Sequence, residues 1–337
     1  METTVVTEAA RPQRQDQPRR LRGPGSVTDW LGVLSALLVL VILFAIAAPY
    51  FFTVPNLLDI ARQIAVTAVL GAGLTFVIIT AGIDLSVGSA VGVTAFVAVS
   101  LSLNGVPAVA ALPAALAAGV VVGLVNGVLV AGLGLAPFIV TLAALTYLRG
   151  VTYVGTDGTT LFSTDLSYAA LGSGTVLGVP TPVLIMVAVF AAGGYLLNRT
   201  VFGRWIFAVG GNPEAARLAG IPVRRVLVWV YVLSGLCAAI GGVIASARLQ
   251  SSVPDLGSGY ELSAIAAVVL GGTSLMGGRG SLTGTFLGAA IMGVLVNGMT
   301  LLDVSSFYQQ IIQGAVIVVA VALDRLRSRR TGAGGAR

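Results

Sequence analysis

Few side chains in this sequence are able to do chemistry, and the common catalytic sets are absent. The 337 residues include no histidine and a single cysteine, Cys237. A Ser-His-Asp triad, a Cys/His zinc site, a histidine-ligated haem and a disulfide framework are therefore excluded. The sequence also contains no GxxxxGK[ST] phosphate-binding loop. We expect a protein that does no bond chemistry itself and needs no metal or cofactor.

One acidic residue stands out because it lies between two long apolar segments. Asp84 occurs in the sequence Gly-Ile-Asp-Leu-Ser, two residues before Ser86. Two interpretations are open for this pair. The carboxylate belongs to an inner gate or a transport path, or it caps the helix that follows by accepting its free N–H groups. The second is favoured, because Asp84 lies where a helix must begin, and both roles are compatible.

A second informative segment is rich in arginine and carries signals for a short helix. Asn212 is a good N-cap, Pro213 suits the first helical turn, and Glu214 complements the positive helix end. Gly220 then provides a stop. These signals predict a helix of about seven residues, Pro213–Ala219. It is either a rigid element that fits a cleft on a soluble partner or an amphipathic loop helix on the lipid headgroups.

The elements that must position these residues are membrane helices, as the composition indicates. Apolar residues make up 56% of the chain and charged residues 9%, with a mean hydropathy of +0.98, whereas soluble proteins are roughly 25% charged. The fold class predicted is an all-α integral membrane protein with about ten transmembrane helices. The predicted spans are 30–52, 64–81, 86–103, 108–131, 136–154, 180–198, 226–246, 262–277, 282–301 and 307–323.

The first span has an alternative interpretation as a signal peptide, with Ala45-Ile46-Ala47 as its cleavage site. Its length favours a retained span. Some of the later segments are near 16 residues, which is short for a straight crossing.

Arginine determines the predicted orientation. Fifteen of the 19 arginines lie in residues 11–22, 199–225 and 325–337, and such clusters mark cytoplasmic segments. Six spans separate the first two clusters and four separate the last two. Because both numbers are even, all three clusters fall on the same side, and both termini are expected in the cytoplasm. The predicted parts are a disordered cytoplasmic arm at 1–29, a transmembrane domain at 30–323 with a cytoplasmic loop at 199–225 and an outer loop at 155–179, and a basic cytoplasmic tail at 324–337.

Other polar side chains are candidates for contacts with a partner or a solute. Arg62 and Arg248 fall near the outer surface, where they suit docking of a protein with acidic groups, headgroup contacts, or pairing with a nearby Asp. Asn126, Tyr147 and Asn297 lie inside predicted spans and are candidates for lining a polar path. Most such groups form helix–helix hydrogen bonds instead.

Three segments together resemble a known family. They are GGNPEAARLAGI from Gly210, AGIDLSVGS at Ala81–Ser89, and YELSAIAAVVLGGTSLMGGRGSLTGTFLGA at Tyr260–Ala289. They resemble permease subunits of ATP-binding-cassette (ABC) importers of the ribose and multiple-sugar type, and the resemblance extends from about Phe51 to Asp324. Branched-chain amino acid permeases are related but look different at these segments.

The resemblance implies a homodimer in the bacterial plasma (inner) membrane, multi-pass, with a separate ABC ATPase subunit and an extracytoplasmic sugar-binding protein as partners. The cargo would be a pentose, a hexose or a related sugar; membrane lipid is the remaining partner, and no nucleic acid is expected. Alternatives are an ABC permease for branched-chain amino acids or another small solute, or an ion-coupled secondary sugar transporter, for which intramembrane acids are too few. The residues assigned to ATPase coupling are Gly210, Gly211, Asn212, Pro213, Glu214, Ala215, Ala216, Arg217, Leu218, Ala219 and Gly220.

Overall fold

The computed structural model describes residues 27–333 and the side-chain surroundings of residues 31–322. Residues 1–26 of the predicted arm and the last four residues of the predicted tail lie outside this part. The helices are α1 Val27–Ala47, α2 Val54–Ile79, α3 Val87–Leu103, α4 Ala108–Ala131, α5 Pro137–Gly155, α6 Ala170–Ser173, α7 Thr181–Arg199, α8 Val201–Gly211, α9 Pro213–Leu218, α10 Val223–Leu249, α11 Tyr260–Leu270, α12 Leu282–Leu301 and α13 Ser306–Ala333. The strands are β1 Leu161–Phe162, β2 Thr175–Val176, β3 Val179–Pro180 and β4 Ser251–Ser252.

The described part of the chain is a predominantly helical membrane protein. Six helices, α2, α4, α5, α7, α10 and α12, are long and apolar enough to cross a bilayer. The other four predicted spans correspond to shorter apolar helical segments at 31–47, 87–103, 260–270 and 306–322. The all-α class is confirmed, while ten crossings and cytoplasmic termini stay predictions.

Several boundaries differ from the sequence prediction. Helix α1 begins at Val27, three residues inside the predicted arm, and α13 continues to Ala333, ten residues into the predicted tail. The predicted outer loop at 155–179 contains short regular elements. Strands β2 and β3 form a hairpin, and β1 pairs antiparallel with β4. The β1–β4 pair therefore fastens this loop to the segment that follows α10.

Helices α2 and α10 lie at the centre of the bundle, and close packing of α10 on α4 depends on small residues. A Cβ atom at Gly235 would overlap the carbonyl oxygen of Gly119, and a Cβ at Gly119 would overlap that of Gly235. Because neither residue has a side chain, the two backbones come into direct contact. Such close approach is a general source of helix association in membranes.

Helices α3 and α11 are short because they meet inside the bundle by their N-terminal ends. At 1.5 Å per residue, the 11 residues of α11 span about 16 Å, roughly half of a bilayer core. Glu261, in its first turn, lies against Gly88 in the first turn of α3. The connection before α11 runs back along α3, so that the carbonyl of Gly257 also faces Gly88.

The hydrogen bonds of Asp84 place it beside the middle of a long helix. Asp84 bonds to Ser234, the twelfth of the 27 residues of α10. That position is about 17 Å from the start of α10. The segment 80–86 thus returns into the bundle, where Thr141 of α5 and Tyr231 of α10 both donate to the carbonyl of Ile83. Hydropathy does not distinguish such a return from a surface turn.

The α4–α10 contact yields a stability prediction. We expect Gly235→Ala to destabilise the protein by about 1–3 kcal/mol, because the added methyl group must displace the Gly119 backbone. The measurement is the midpoint of thermal unfolding of the detergent-purified protein. Gly150→Ala is the matched control, because a Cβ at Gly150 in α5 meets open space. Equal midpoints for the two variants would contradict the packing described.

Candidate functional site

The carboxylate of Asp84 is the centre of a buried hydrogen-bond network. Its Oδ1 atom accepts from the Ser86 N–H at 3.0 Å and from the Ser86 hydroxyl at 2.6 Å. Its Oδ2 atom accepts from the Ser234 hydroxyl at 2.7 Å. The side chain of Asp84 is 1% exposed. Asp84 therefore joins the segment before α3 to the middle of α10.

The network extends to α4 and α5. The Asn126 amide of α4 donates to the Ser86 hydroxyl at 2.8 Å, and Asn126 is fully buried. The carbonyl of Ile83, next to Asp84, accepts from the Thr141 hydroxyl at 3.1 Å and from the Tyr231 hydroxyl at 3.4 Å. Three helices thus hold one short extended segment.

This geometry bears on the two interpretations of Asp84. The N-cap of α3 is Ser86, and no side chain in the described part of the chain caps this helix end, so the prediction that Asp84 is the N-cap was wrong. The carboxylate of Asp84 accepts instead from the N–H of Ser86 and from Ser234, and through Ser86 it is joined to Asn126. The bond to Ser234 links two segments 150 residues apart. The gating role stays a prediction.

A second acidic residue, Glu261, lies at the same meeting point. Its Oε1 atom accepts from the Gly259 N–H at 3.2 Å, while its buried Oε2 atom, lying against Gly88, has no hydrogen-bond partner among the described residues. Arg149 of α5 donates to the Leu256 carbonyl at 2.9 Å, and its charge acts on Glu261. Arg149 thereby holds the inward-running segment before α11.

A three-way backbone contact connects the Asp84 segment to the arginine-rich loop. The Gly278 N–H donates to the carbonyl of Ile79, the last residue of α2, at 2.8 Å. Gly210, near the end of α8, packs so closely on the same carbonyl that a Cβ atom would overlap it. Gly210 is buried. The end of α8 is therefore in direct backbone contact with Ile79, five residues before Asp84.

The predicted short helix is confirmed as α9, with small differences in extent. It spans Pro213–Leu218, with Ala219 as its C-cap. The Asn212 side chain accepts from the Ala215 N–H at 3.0 Å, as its N-cap role predicts. Gly220 has a φ of +81°, the left-handed conformation that ends helices.

The outward surface of α9 is largely exposed. Glu214 and Arg217 form an exposed ion pair with an N–O distance of 2.7 Å, and Leu218 is 84% exposed. Ala216 is buried and attaches the helix to the cluster that contains Val226 and Tyr231. One side of α9 is thus anchored, while the other presents a charged and an apolar group to the surroundings.

The other predicted site residues are not all brought together. Tyr147 lies within electrostatic range of Asp84 and is 44% exposed. Asn297 instead exchanges amide hydrogen bonds of 2.8 and 3.1 Å with Asn56, near the start of α2. Arg62 pairs with Asp59 at 2.8 Å. Arg248 is exposed at the end of α10.

Three residues of the site were missed from the sequence. Ser234 gave no signal, because serine is common in membrane helices. Arg149 did give one, since an ionisable residue inside an apolar segment indicates a function or a specific partner. Glu261 lies in the third of the three sequence segments, but nothing local to it predicts its place beside Gly88 inside the bundle.

Comparison with known proteins identifies the class. The family model described as "Branched-chain amino acid transport system / permease component" matches residues 56–321. The chain belongs to this family of transport permeases. It is a multi-pass permease of the bacterial plasma membrane. No solved structure gives a significant match.

Within the family, the chain is similar to sugar permeases, which confirms the resemblance found in the three sequence segments. It is 50% identical over 295 residues to the ribose import permease protein RbsC of Escherichia coli strain K12, covering 86% of this chain and 92% of that protein. It is 44% identical over 318 residues to RbsC of Bacillus subtilis strain 168, covering 94% and 98%. It is 40% identical over 312 residues to the L-arabinose transport system permease protein AraH of E. coli strain K12, covering 90% and 93%.

The Asp84 network yields a prediction that compares two substitutions. We expect Asp84→Ala to lower the yield and the thermal midpoint strongly. It leaves three buried donors of Ser86 and Ser234 without an acceptor, and each unsatisfied group costs about 1–3 kcal/mol. Asp84→Asn keeps an acceptor for Ser86 and is expected to be clearly milder. Thermal unfolding in detergent measures both, with Asp59→Ala at an exposed carboxylate as control. Wild-type stability of Asp84→Ala would refute this assignment.

Proposed function

We propose that the protein is the transmembrane subunit of an ABC importer that moves a ribose-like pentose or a related sugar across the bacterial plasma membrane. A separate ATPase subunit hydrolyses ATP, and an extracytoplasmic binding protein delivers the sugar. The observation that carries the proposal is the exposed helix α9 together with the contact of Gly210 with the Ile79 carbonyl. The sugar class follows from the similarity to ribose and L-arabinose permeases.

Helix α9 is proposed to dock in a cleft of the ATPase subunit. A helix of six residues has little stability of its own, but both of its ends are capped and Ala216 is anchored. A helix held in this way moves as a rigid unit when the ATPase subunit moves. Movement of the ATPase subunit would displace α8, then Ile79, then the segment that carries Asp84.

The meeting point of α3 and α11 is proposed to lie near the bilayer centre and to form the gate of the path. Discontinuous helices whose N-terminal ends meet at mid-depth are a recurrent feature of transporters. Sugars need hydroxyl, amide and carboxylate partners, and Asp84, Asn126 and Tyr147 offer these groups on adjacent helices. Asn297, paired with Asn56, is assigned instead to helix packing.

Two copies of the chain are proposed to form the transport unit. Each chain has one helix of the α9 type, and an ABC importer has two ATPase sites to engage. On the outer side, Arg248 is proposed to contact the binding protein, because it is exposed and forms no ion pair among the described residues. Arg62 is a weaker candidate, since Asp59 already neutralises it.

Ten crossings with both termini in the cytoplasm are proposed, and cysteine labelling tests this topology. Leu177, 99% exposed in the β2–β3 turn, would face outward, and Leu218 would face the cytoplasm. We expect a membrane-impermeant maleimide to label Leu177→Cys in right-side-out vesicles, and Leu218→Cys only after permeabilisation. Wild type is the control, because its single cysteine, Cys237, is buried. Labelling of both positions from one side would contradict the topology.

The coupling role of α9 is tested in the complex purified with its ATPase subunit. We expect Glu214→Arg to insert normally and to lose sugar-stimulated ATP hydrolysis by at least about tenfold, which corresponds to about 1.4 kcal/mol of lost coupling. The substitution reverses the charge that α9 presents at this position, so a cleft of the ATPase subunit that is complementary to Glu214 repels the helix. ATP hydrolysis in proteoliposomes with binding protein and sugar is the measurement.

A double variant separates docking from helix stability. Glu214→Arg combined with Arg217→Glu restores an ion pair within α9 but reverses the outward charges. We expect it to stay inactive. Recovered hydrolysis would limit Glu214 to an internal role, and full activity of the single variant would remove α9 from the interface.

Uptake that persists without ATP but stops when the ion gradient collapses would favour a secondary transporter.

A further inference from the structure

Two arginines lie where a helix is least favourable for positive charge. Arg224 and Arg225 occupy the first turn of α10, which contains no acidic residue. The N-terminal end of a helix already carries a partial positive charge from its free N–H groups. Both side chains are exposed, and within the described part of the chain neither forms an ion pair.

No neighbouring acidic residue in the loop is available to neutralise them. Residues 199–225 contain five arginines and one acidic residue, Glu214. Glu214 is already paired with Arg217. The start of α10 is therefore an unneutralised positive site that favours an anion.

A cavity of about 210 Å³ lies directly beside the two guanidinium groups. It is formed between the C-terminal end of α4 and the first two turns of α10, and its lining is Val128, Gly132, Arg224, Arg225, Val228 and Trp229. The volume is several times the roughly 30 Å³ occupied by one water molecule.

The lining changes from charged to apolar along α10. Val228 and Trp229 follow Arg224 and Arg225 by four residues each, so that each lies one turn further along on the same face. Trp229 is 57% exposed. Tryptophan is enriched where the headgroups meet the acyl chains of a bilayer. The cavity thus has a cationic end and an apolar end with an aromatic side chain between them.

A larger groove elsewhere lacks this character. The groove of about 370 Å³ between α7 and α12 is lined by apolar side chains, with Asn198 and Thr283 as polar members and no charged residue. It offers acyl chains a surface but cannot select a headgroup. Charge together with an apolar extension distinguishes the α4–α10 cavity.

We propose that the α4–α10 cavity binds an anionic phospholipid of the cytoplasmic leaflet. Arg224 and Arg225 bind the headgroup phosphate, for which the guanidinium group is suited by its paired N–H donors. One acyl chain lies along Val128, Val228 and Trp229. The proposal rests on the proposed orientation of α10, which puts its first turn on the cytoplasmic side.

The apolar end of the cavity favours a lipid over the ATPase subunit as its occupant. A protein contact with Arg224 and Arg225 would leave Trp229 and the groove below it unused. A lipid fills both ends of the cavity, and its negative charge neutralises the start of α10.

Native mass spectrometry of the detergent-purified protein, titrated with phosphatidylglycerol or phosphatidylcholine, tests the proposal. We expect bound phosphatidylglycerol to exceed phosphatidylcholine by about tenfold on the wild type. Arg224→Gln/Arg225→Gln should remove this preference. Arg199→Gln/Arg204→Gln removes the same charge at exposed positions outside the cavity and should keep it. Equal binding of both lipids to the wild type, or equal loss in both double variants, would overturn the proposal.

Two further experiments distinguish a bound lipid from a free anion and from the ATPase subunit. Inorganic phosphate at millimolar concentration should not displace the lipid, and Trp229→Ala should weaken lipid binding without changing the net charge. Displacement by phosphate, or no effect of Trp229→Ala, would reduce the site to one for free anions. If the Arg224/Arg225 variant keeps its lipid but loses the ATPase subunit, the surface belongs to the subunit interface and the proposal fails. The lipid assay needs no ATP, so its result does not depend on whether the protein transports sugar.

Discussion

Inside a bilayer every polar group must find a partner within the protein, because hydrocarbon offers none. The segment 80–86 illustrates how this constraint organises the fold. It is not helical, so its polar groups need other partners. Asp84 accepts from the Ser86 N–H within the segment, Thr141 and Tyr231 donate to the Ile83 carbonyl, and Ser234 donates to the Asp84 carboxylate. The positions of α3, α5 and α10 relative to one another follow from these few bonds and from the glycine contacts that bring the backbones together.

The same constraint separates what the sequence predicts from what it does not. Span positions, the capped helix α9 and the absence of common catalytic sets all follow from composition and local signals. The inward return of residues 80–86 and 250–259 does not follow, because it depends on contacts such as Asp84 with Ser234 and Gly88 with Glu261. Those pairs are more than 140 residues apart in the sequence. Local propensity contains no information about them.

The packing of the site leaves no space between the end of α8 and the end of α2. Gly210, Ile79 and Gly278 are in backbone contact, so no flexible side chain lies between the end of α8 and the end of α2. Tightly packed interiors transmit displacement rather than absorb it. The exposed pair Glu214–Arg217 contributes little to stability by comparison, since solvent-exposed ion pairs are weak.

The separation between Asp84 and Ser234 has a consequence for biogenesis. The two residues are 150 positions apart, and a ribosome adds about 5–20 residues per second. Ser234 is therefore synthesised roughly 8–30 s after Asp84. During that interval α2 and α3 have left the ribosome, but the carboxylate lacks its bond to α10. The hydrogen bond between Asp84 and α10 therefore forms only after α10 has been synthesised, so the packing of the first half of the chain is completed by the second.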